Sequence, residues 1–171
     1  MSPGISAPVR RDCGLDRGDA LLAWRVGVED FFPPLRIDLL DTRFAGMIIG
    51  ARATDLQVTD IAGTAHHIAR RPGRARSSTG DFFKLNVQLE SSGFVGQGGN
   101  ETRLEPGAIV IYDFARPYDL VFEAETRFLV ALFPKRALTA RRGPRPALRS
   151  PSRGWAGPRG CGIPVAHAVW A

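Results

Sequence analysis

From residue 44 to residue 133 the chain is cut into strand-length pieces, and nothing else in the sequence constrains the fold as strongly. The cuts are Ala62-Gly63, Arg71-Pro72-Gly73, Ser91-Ser92-Gly93, Glu105-Pro106-Gly107 and Arg116-Pro117, whose Gly, Pro and Ser residues favour turns. Between them, runs suited to strands occupy residues 44–52, 56–61, 65–70, 83–90, 108–113, 118–123 and 127–133. The clearest has Phe83, Leu85, Val87 and Leu89 alternating with Lys84, Asn86, Gln88 and Glu90, the period of two of a half-buried strand. Only ahead of these does a helical period appear. Leu21, Trp24, Val28 and Phe31 recur at three and four behind Asp19, which can cap the first turn, and Pro33-Pro34 stops the run. One early helix followed by closely spaced strands predicts a mainly β chain, an antiparallel sandwich or barrel rather than an α/β sheet.

The glycines of Gln97-Gly98-Gly99-Asn100 have the spacing of a phosphate-binding loop. Such a loop needs a helix whose N-terminus receives the phosphate. Here the glycines are followed by Arg103-Leu104-Glu105-Pro106-Gly107 and then by a β-branched run, with no Lys-Ser or Lys-Thr pair. They are expected to be hairpin glycines.

A formal charge of +6 would point to nucleic acid if it were spread over the chain. Its distribution says otherwise. Six of the 23 basic residues, Arg141, Arg142, Arg145, Arg149, Arg153 and Arg159, lie beyond residue 136 in a stretch without Asp or Glu, and the other 17 are matched by 17 acids. The 35 residues 137–171 are rich in Arg, Pro and Gly and have neither strand nor helix period, so a disordered C-terminal tail is expected. Residues 1–18 are expected to be a flexible N-terminus, which leaves 19–136 as one domain of ample size for a core. Cys13 and Cys161 form no CxxC pair, which fits a reducing compartment. No run reaches the roughly 18 apolar residues of a membrane span. A cytoplasmic location without membrane contact is the expectation.

The order of signals now becomes recognisable. Trp24, Phe32-Pro33, His66 ahead of Arg70 and Pro72, Gln97, Leu104, Pro106-Gly107, Asp113, Arg116-Pro117-Tyr118 and Pro134 follow one another in a pattern that resembles the N-terminal ligand-binding domain of AraC/XylS-type transcriptional regulators. The resemblance covers about residues 20–140, and its most specific piece is residues 112–120, YDFARPYDL, behind the LEPG turn. It implies a cupin-type jelly-roll barrel that senses a small organic effector or contributes to dimerisation, so a homodimer is a partner to expect. It also implies a structural signature at Gln97, Pro106, Gly107, Asp113, Arg116 and Pro117. The family's DNA-reading half carries two helix-turn-helix motifs, for which residues 137–171 offer no amphipathic pair. The expectation is therefore a regulator truncated or shifted out of frame, or one ending in a natural basic linker, with no sequence-specific DNA binding by this chain. Ala108, Asn100 and Arg71 depart from the family's usual residues.

The alternative is a small-molecule-binding cupin enzyme, since that fold often holds a metal on two or three His and a carboxylate. His66 and His67 are adjacent, so on a strand they point to opposite faces, and His167 lies in the tail. No metal site, cofactor or catalytic residue is therefore expected, and one or both of these His are read as an edge or surface pair. Ser77, Ser78, Ser91 and Ser92 sit in turns without a nucleophile elbow. Asp113 and Arg116 are read as fixing a corner, with Pro117 setting φ. Arg70 is the candidate anchor for an effector carboxylate, with Tyr118 and Phe83 as pocket walls. On an inner face Arg70 would need a partner, either that carboxylate or an internal acid such as Asp60 or Asp81.

Overall fold

A computed structural model describes residues 9–71, 81–139 and 167–170 of the chain. Its elements run β1 (Val9–Asp16), α1 (Arg17–Glu29), β2 (Arg36–Leu39), β3 (Arg43–Ala53), β4 (Leu56–Gly63), β5 (His66–Arg70), β6 (Phe82–Glu90), β7 (Gly93–Gln97), β8 (Asn100–Leu104), β9 (Ile109–Asp113), β10 (Tyr118–Phe122), β11 (Thr126–Pro134), α2 (Arg136–Thr139) and β12 (His167–Trp170). They form a seven-stranded sheet in the order β1-β3-β4-β11-β6-β9-β12 and a five-stranded sheet in the order β2-β5-β10-β7-β8. Every pairing is antiparallel except that of β12 with β9. The mainly β, two-sheet cupin-like fold with one N-terminal helix is thus as expected.

The inward rows of the two sheets share one apolar core that includes Ile48, Ile61, Ile68, Val95, Val110, Leu120 and Val130. Helix α1 adds to it through Ala20, Trp24 and Val28, all buried, while Leu22 and Val26 on its other side are exposed, the stripe expected of a 3.6-residue period. Close approach of the helix depends on two glycines of β3. A Cβ at Gly46 would meet the Trp24 and Phe44 rings, and one at Gly50 would overlap the Phe31 ring.

The hairpin reading of the glycine pair holds. Gln97 pairs with Asn100, and Gly98 and Gly99 between them both have positive φ, as a two-residue type I′ loop requires. The LEPG turn holds as well. Gly107, at φ 88°, donates its N–H to Gln88 O at 2.8 Å, and Ala108 donates to Glu105 O at 2.8 Å.

Two boundaries differ from expectation. Strand β1 lies within residues 1–18 and pairs along β3, and β12 lies within residues 137–171 and pairs along β9. Neither segment shows a period of its own, because a strand added to a sheet edge can be held by backbone hydrogen bonds that any sequence supplies. The rest of the expected tail, residues 140–166 and 171, lies outside the described residues.

The face of β6 is the larger surprise. A half-buried strand ordinarily turns its apolar row inward, yet Lys84, Asn86 and Gln88 are the residues buried in the interior, at 2%, 0% and 0% exposure. Leu85, Val87 and Leu89 are only partly buried on the opposite side. A polar stripe therefore runs through the middle of the core. Its neighbours across the sheet are Leu132 and Tyr112 for Lys84, and Val130 and Val110 for Asn86.

Candidate functional site

The two ends of this stripe meet different surroundings. At one end Gln88 donates to the Glu90 and Ser91 carbonyls and to Thr126 Oγ1, at 2.8, 3.2 and 2.7 Å, which closes the sheet locally. At the other end stands Lys84. Its ammonium donates to the Tyr118 hydroxyl at 3.3 Å and lies 4.7, 5.7 and 4.9 Å from the ring centres of Phe32, Tyr112 and Tyr118. Among the described residues no carboxylate pairs with it. Facing it from the five-stranded sheet is Arg70, which sits beside Tyr118 in the β5–β10 ladder and places its guanidinium 4.8 Å from the centre of the Phe114 ring. Arg70 is 1% exposed. Two basic side chains are thus buried against one aromatic cluster, here called the chamber, formed by Phe32, Phe114, Tyr112 and Tyr118, rings that lie 5.0 to 6.5 Å apart between centres.

The electrostatics follow from that placement. Burial, and then the positive charge of Arg70, push the Lys84 amine down from 10.5 to about 7, since both disfavour the ammonium. Burial lowers Arg70 as well, against the pull of Tyr118 and Asp113. Burial raises both tyrosines, so their hydroxyls stay protonated. Deeper along the interior the Asn86 amide is fully buried with neither end partnered, and Thr59 Oγ1 and the Tyr112 hydroxyl are likewise without partners. Thr59 and Asn86 share one cross-strand row, separated by Val130. Buried polar atoms in folded proteins are nearly all hydrogen-bonded, so these three side chains depart from that rule, as do Trp24 Nε1, His66 Nε2 and Gln88 Oε1 towards the other end of the interior.

A surface cleft of about 300 Å³ adjoins the chamber, lined among others by Phe31, Gln57, Phe82, Phe114 and Leu132. Phe114 lines the cleft and also carries Arg70 against its ring. Leu132 is the direct cross-strand neighbour of Lys84.

The corner that carries Phe114 and Tyr118 is held differently from the sequence reading. The carboxamide of Gln97 accepts the Asp113 N–H at 2.9 Å and donates to the Asp113 and Pro117 carbonyls at 2.9 and 3.3 Å. Asp113 accepts the Ala115 N–H at 2.8 Å and the Lys135 ammonium at 2.9 Å. Arg116 is exposed and lies over Gly98 instead. Gln97 and Lys135 therefore do the fastening that had been assigned to the Arg116 guanidinium, because a short carboxamide two strands away reaches three backbone groups at once.

Of the three candidate ligand residues, Arg70 and Tyr118 come together in the chamber and Phe83 does not. Phe83 points to the outer side of its sheet, where it packs on Phe133 and under Lys135, because alternation places it opposite Lys84. Asp60 is not the partner of Arg70, since it receives Arg127 on the outer face at 2.8 and 3.1 Å. His66 and His67 do face opposite ways. His67 is half-buried against Asp119 at 2.9 Å. His66 is 0% exposed among Trp24, Phe44 and Phe122, its Nδ1–H donating to Thr64 O at 2.6 Å, so His67 alone of the two lies near the surface. Lys84, Asn86, Phe32 and Phe114 went unrecognised in the sequence. One signal was available: Lys84 and Lys135 are the two lysines in a chain whose other 21 of 23 basic residues are Arg.

Comparison with known proteins supplies the rest. The family model of the AraC-binding-like domain matches residues 24–164, which carries the match past the expected boundary at 136. An uncharacterised protein encoded in a nit 5′ region of Bacillus sp. strain OxB-1 is 29% identical over 132 residues, 75% of this chain and 51% of that protein. The transcriptional activator NphR of a Rhodococcus species is 28% identical over 129 residues, 74% of this chain and 38% of that protein. The chain thus spans about half or less of the length of these curated relatives. The crystal structure of the AraC-like transcriptional activator CuxR superposes with a TM-score of 0.66 at 16% identity, covering 78% of this chain and 49% of that one. Among the described residues no helix is long and apolar enough to cross a membrane.

Proposed function

The chain belongs to the AraC-binding-like domain family, and on that premise we propose that its interior senses a small organic anion, held between Lys84 and Arg70 in the aromatic chamber. The observation that carries this reading is the burial of the Lys84 amine in a ring cluster beside Arg70, with no carboxylate on Lys84 among the described residues. A desolvated ammonium costs several kcal/mol unless an anion compensates it, and a bound carboxylate supplies that anion from outside. The unpartnered Asn86 amide and Thr59 hydroxyl are placed to read the polar remainder of the ligand. The rings of Phe32, Phe114, Tyr112 and Tyr118 cover its apolar part.

Occupancy ties the two sheets together, because Lys84 belongs to one and Arg70 and Tyr118 to the other. The domain would pass that change to the DNA-reading part of a regulator, or to a second copy of itself. A thermal-shift screen of small aliphatic and aromatic carboxylates tests the reading, since a ligand at a hundred times its dissociation constant stabilises by about 2.7 kcal/mol. The response should vanish in Lys84→Met and Arg70→Leu variants that remain folded. A broad screen without one stabilising anion would overturn it.

A further inference from the structure

The environment of Lys84 fits a reactive amine better than a simple counter-ion. A charge kept only for salt-bridging is best served by Arg, whose guanidinium stays protonated and is weakly hydrated, and this chain uses Arg at 21 of 23 basic positions. Two basic side chains of the described residues are fully buried, and at one of them, beside Arg70, the chain uses Lys instead. The amine is enclosed by three rings and 3.3 Å from a tyrosine hydroxyl, with a second cation facing it. Desolvation and a neighbouring cation are what make a lysine nucleophilic at neutral pH. At a pKa of about 7, half of the Lys84 amines are neutral at pH 7, against about one in 2,500 for an unperturbed lysine.

We propose that Lys84 is a covalent docking point: its Nζ condenses reversibly with the aldehyde or ketone carbon of a small ligand whose carboxylate is held by Arg70. This deepens the sensing reading above and rests on it. The neutral amine adds to the carbonyl carbon and forms the C–N bond. The carbonyl oxygen leaves as water with the two amine protons, giving a neutral imine, so that no oxidant or reductant is needed. Tyr118, hydrogen-bonded to Nζ and kept protonated by burial, can pass a proton to the departing oxygen. Asn86, next inward from Lys84 on the same strand face with both amide ends unpartnered, can hold the hydroxyl of the addition intermediate. The imine also removes a desolvated ammonium from the chamber. The fitting ligand class is therefore the short oxo acid or formyl-substituted aromatic acid, small enough to enter by the cleft beside Phe114.

Reductive trapping reads this directly, because the chain offers two lysines and its amino terminus as competing amines. The full chain is incubated with glyoxylate, pyruvate or 4-formylbenzoate and sodium cyanoborohydride at pH 7, and the adduct is located by peptide mass mapping. The proposal expects a reduced adduct on Lys84, formed at least about tenfold faster than on Lys135, whose ammonium is held by Asp113, and slowed by excess propionate or benzoate, to which any adduct on the amino terminus is indifferent. Its rate should rise with pH through about 7. Mapping is done on the wild-type chain, so the result does not depend on a variant that folds. Labelling of Lys135 as fast as Lys84, or no label on Lys84, overturns the proposal. If propionate or benzoate stabilises the protein while Lys84 stays unlabelled, anion sensing stands and covalent docking falls. If neither effect occurs, both fall.

Discussion

The two ends of the interior are built on opposite principles. At the end under helix α1, Trp24, Phe44, His66, Phe122 and Phe128 fill the space with rings, and Phe122 and Phe128 stack at 4.7 Å. Its polar leftovers are uncharged, the ring nitrogens Trp24 Nε1 and His66 Nε2 and the carboxamide oxygen Gln88 Oε1 beside Phe128, which are inexpensive to bury beside a full charge. At the other end rings are also present, but they enclose Lys84 and Arg70. The first end maximises stability. The second buries the Lys84 amine with no carboxylate on it among the described residues, a cost that under the proposed function the ligand offsets.

The sharpest way to break this comparison is to damage the ring-filled end. Trp24→Ala should cost about 3–5 kcal/mol, the range for deleting a large buried aromatic, and urea unfolding would measure it. A much smaller loss would mean that this end is not the structural one. Next in size is the acid response of His66. The unfolded chain protonates this residue near 6.5 and the folded one only near 4, so the unfolded state binds more protons in that window and stability falls as pH drops from 6.5 towards 4. The full fall is roughly 3 kcal/mol at 1.36 kcal/mol per pKa unit, and His66→Leu should flatten the profile relative to wild type. The corner behind the cationic end comes third. Gln97→Ala leaves the Asp113 amide and two carbonyls without their partner and should cost about 1–3 kcal/mol. It should also weaken any ligand response, because Phe114 and Tyr118 flank that corner. Smallest is the outer ion pair. Arg127→Gln removes its bonds to Asp60 on a face open to solvent, where an ion pair is screened, and the urea midpoint should barely move, with ligand response intact.

Much of the frame was legible in the sequence because turn chemistry and a period of two are local. The runs at residues 44–52, 56–61 and 118–123 each became a strand. Strands β7 and β8 were missed because GFVGQ and NETRL carry no alternation, and their register comes from the Gly98-Gly99 loop. The candidate site was half legible. Arg70 stood out as a charge in an apolar run, and Tyr118 as its neighbour in the RPY motif. Lys84 was hidden by its own strand, whose apolar row invited the reading that placed Phe83 inside and Lys84 outside. Period alone cannot choose between the two faces of a strand. That choice is made by what the interior must hold, and here it holds a polar stripe.

The central claim, that the cationic end is kept for a ligand at the expense of stability, is tested most directly by the unfolding free energy of Lys84→Met against wild type at pH 7 and near pH 10. Wild-type Lys84 must shed its proton on folding wherever the pH lies between about 7 and 10.5, and that cost fades as pH rises through the window, since the unfolded chain then loses the proton as well. The account predicts that Lys84→Met is the more stable protein at pH 7, by about 1–4 kcal/mol as for other buried charges replaced by apolar side chains. The gap should narrow towards pH 10. A Lys84→Met protein less stable than wild type at pH 7 would show that Lys84 is already satisfied within the fold, and the reading of this end as a site awaiting an anion would be contradicted.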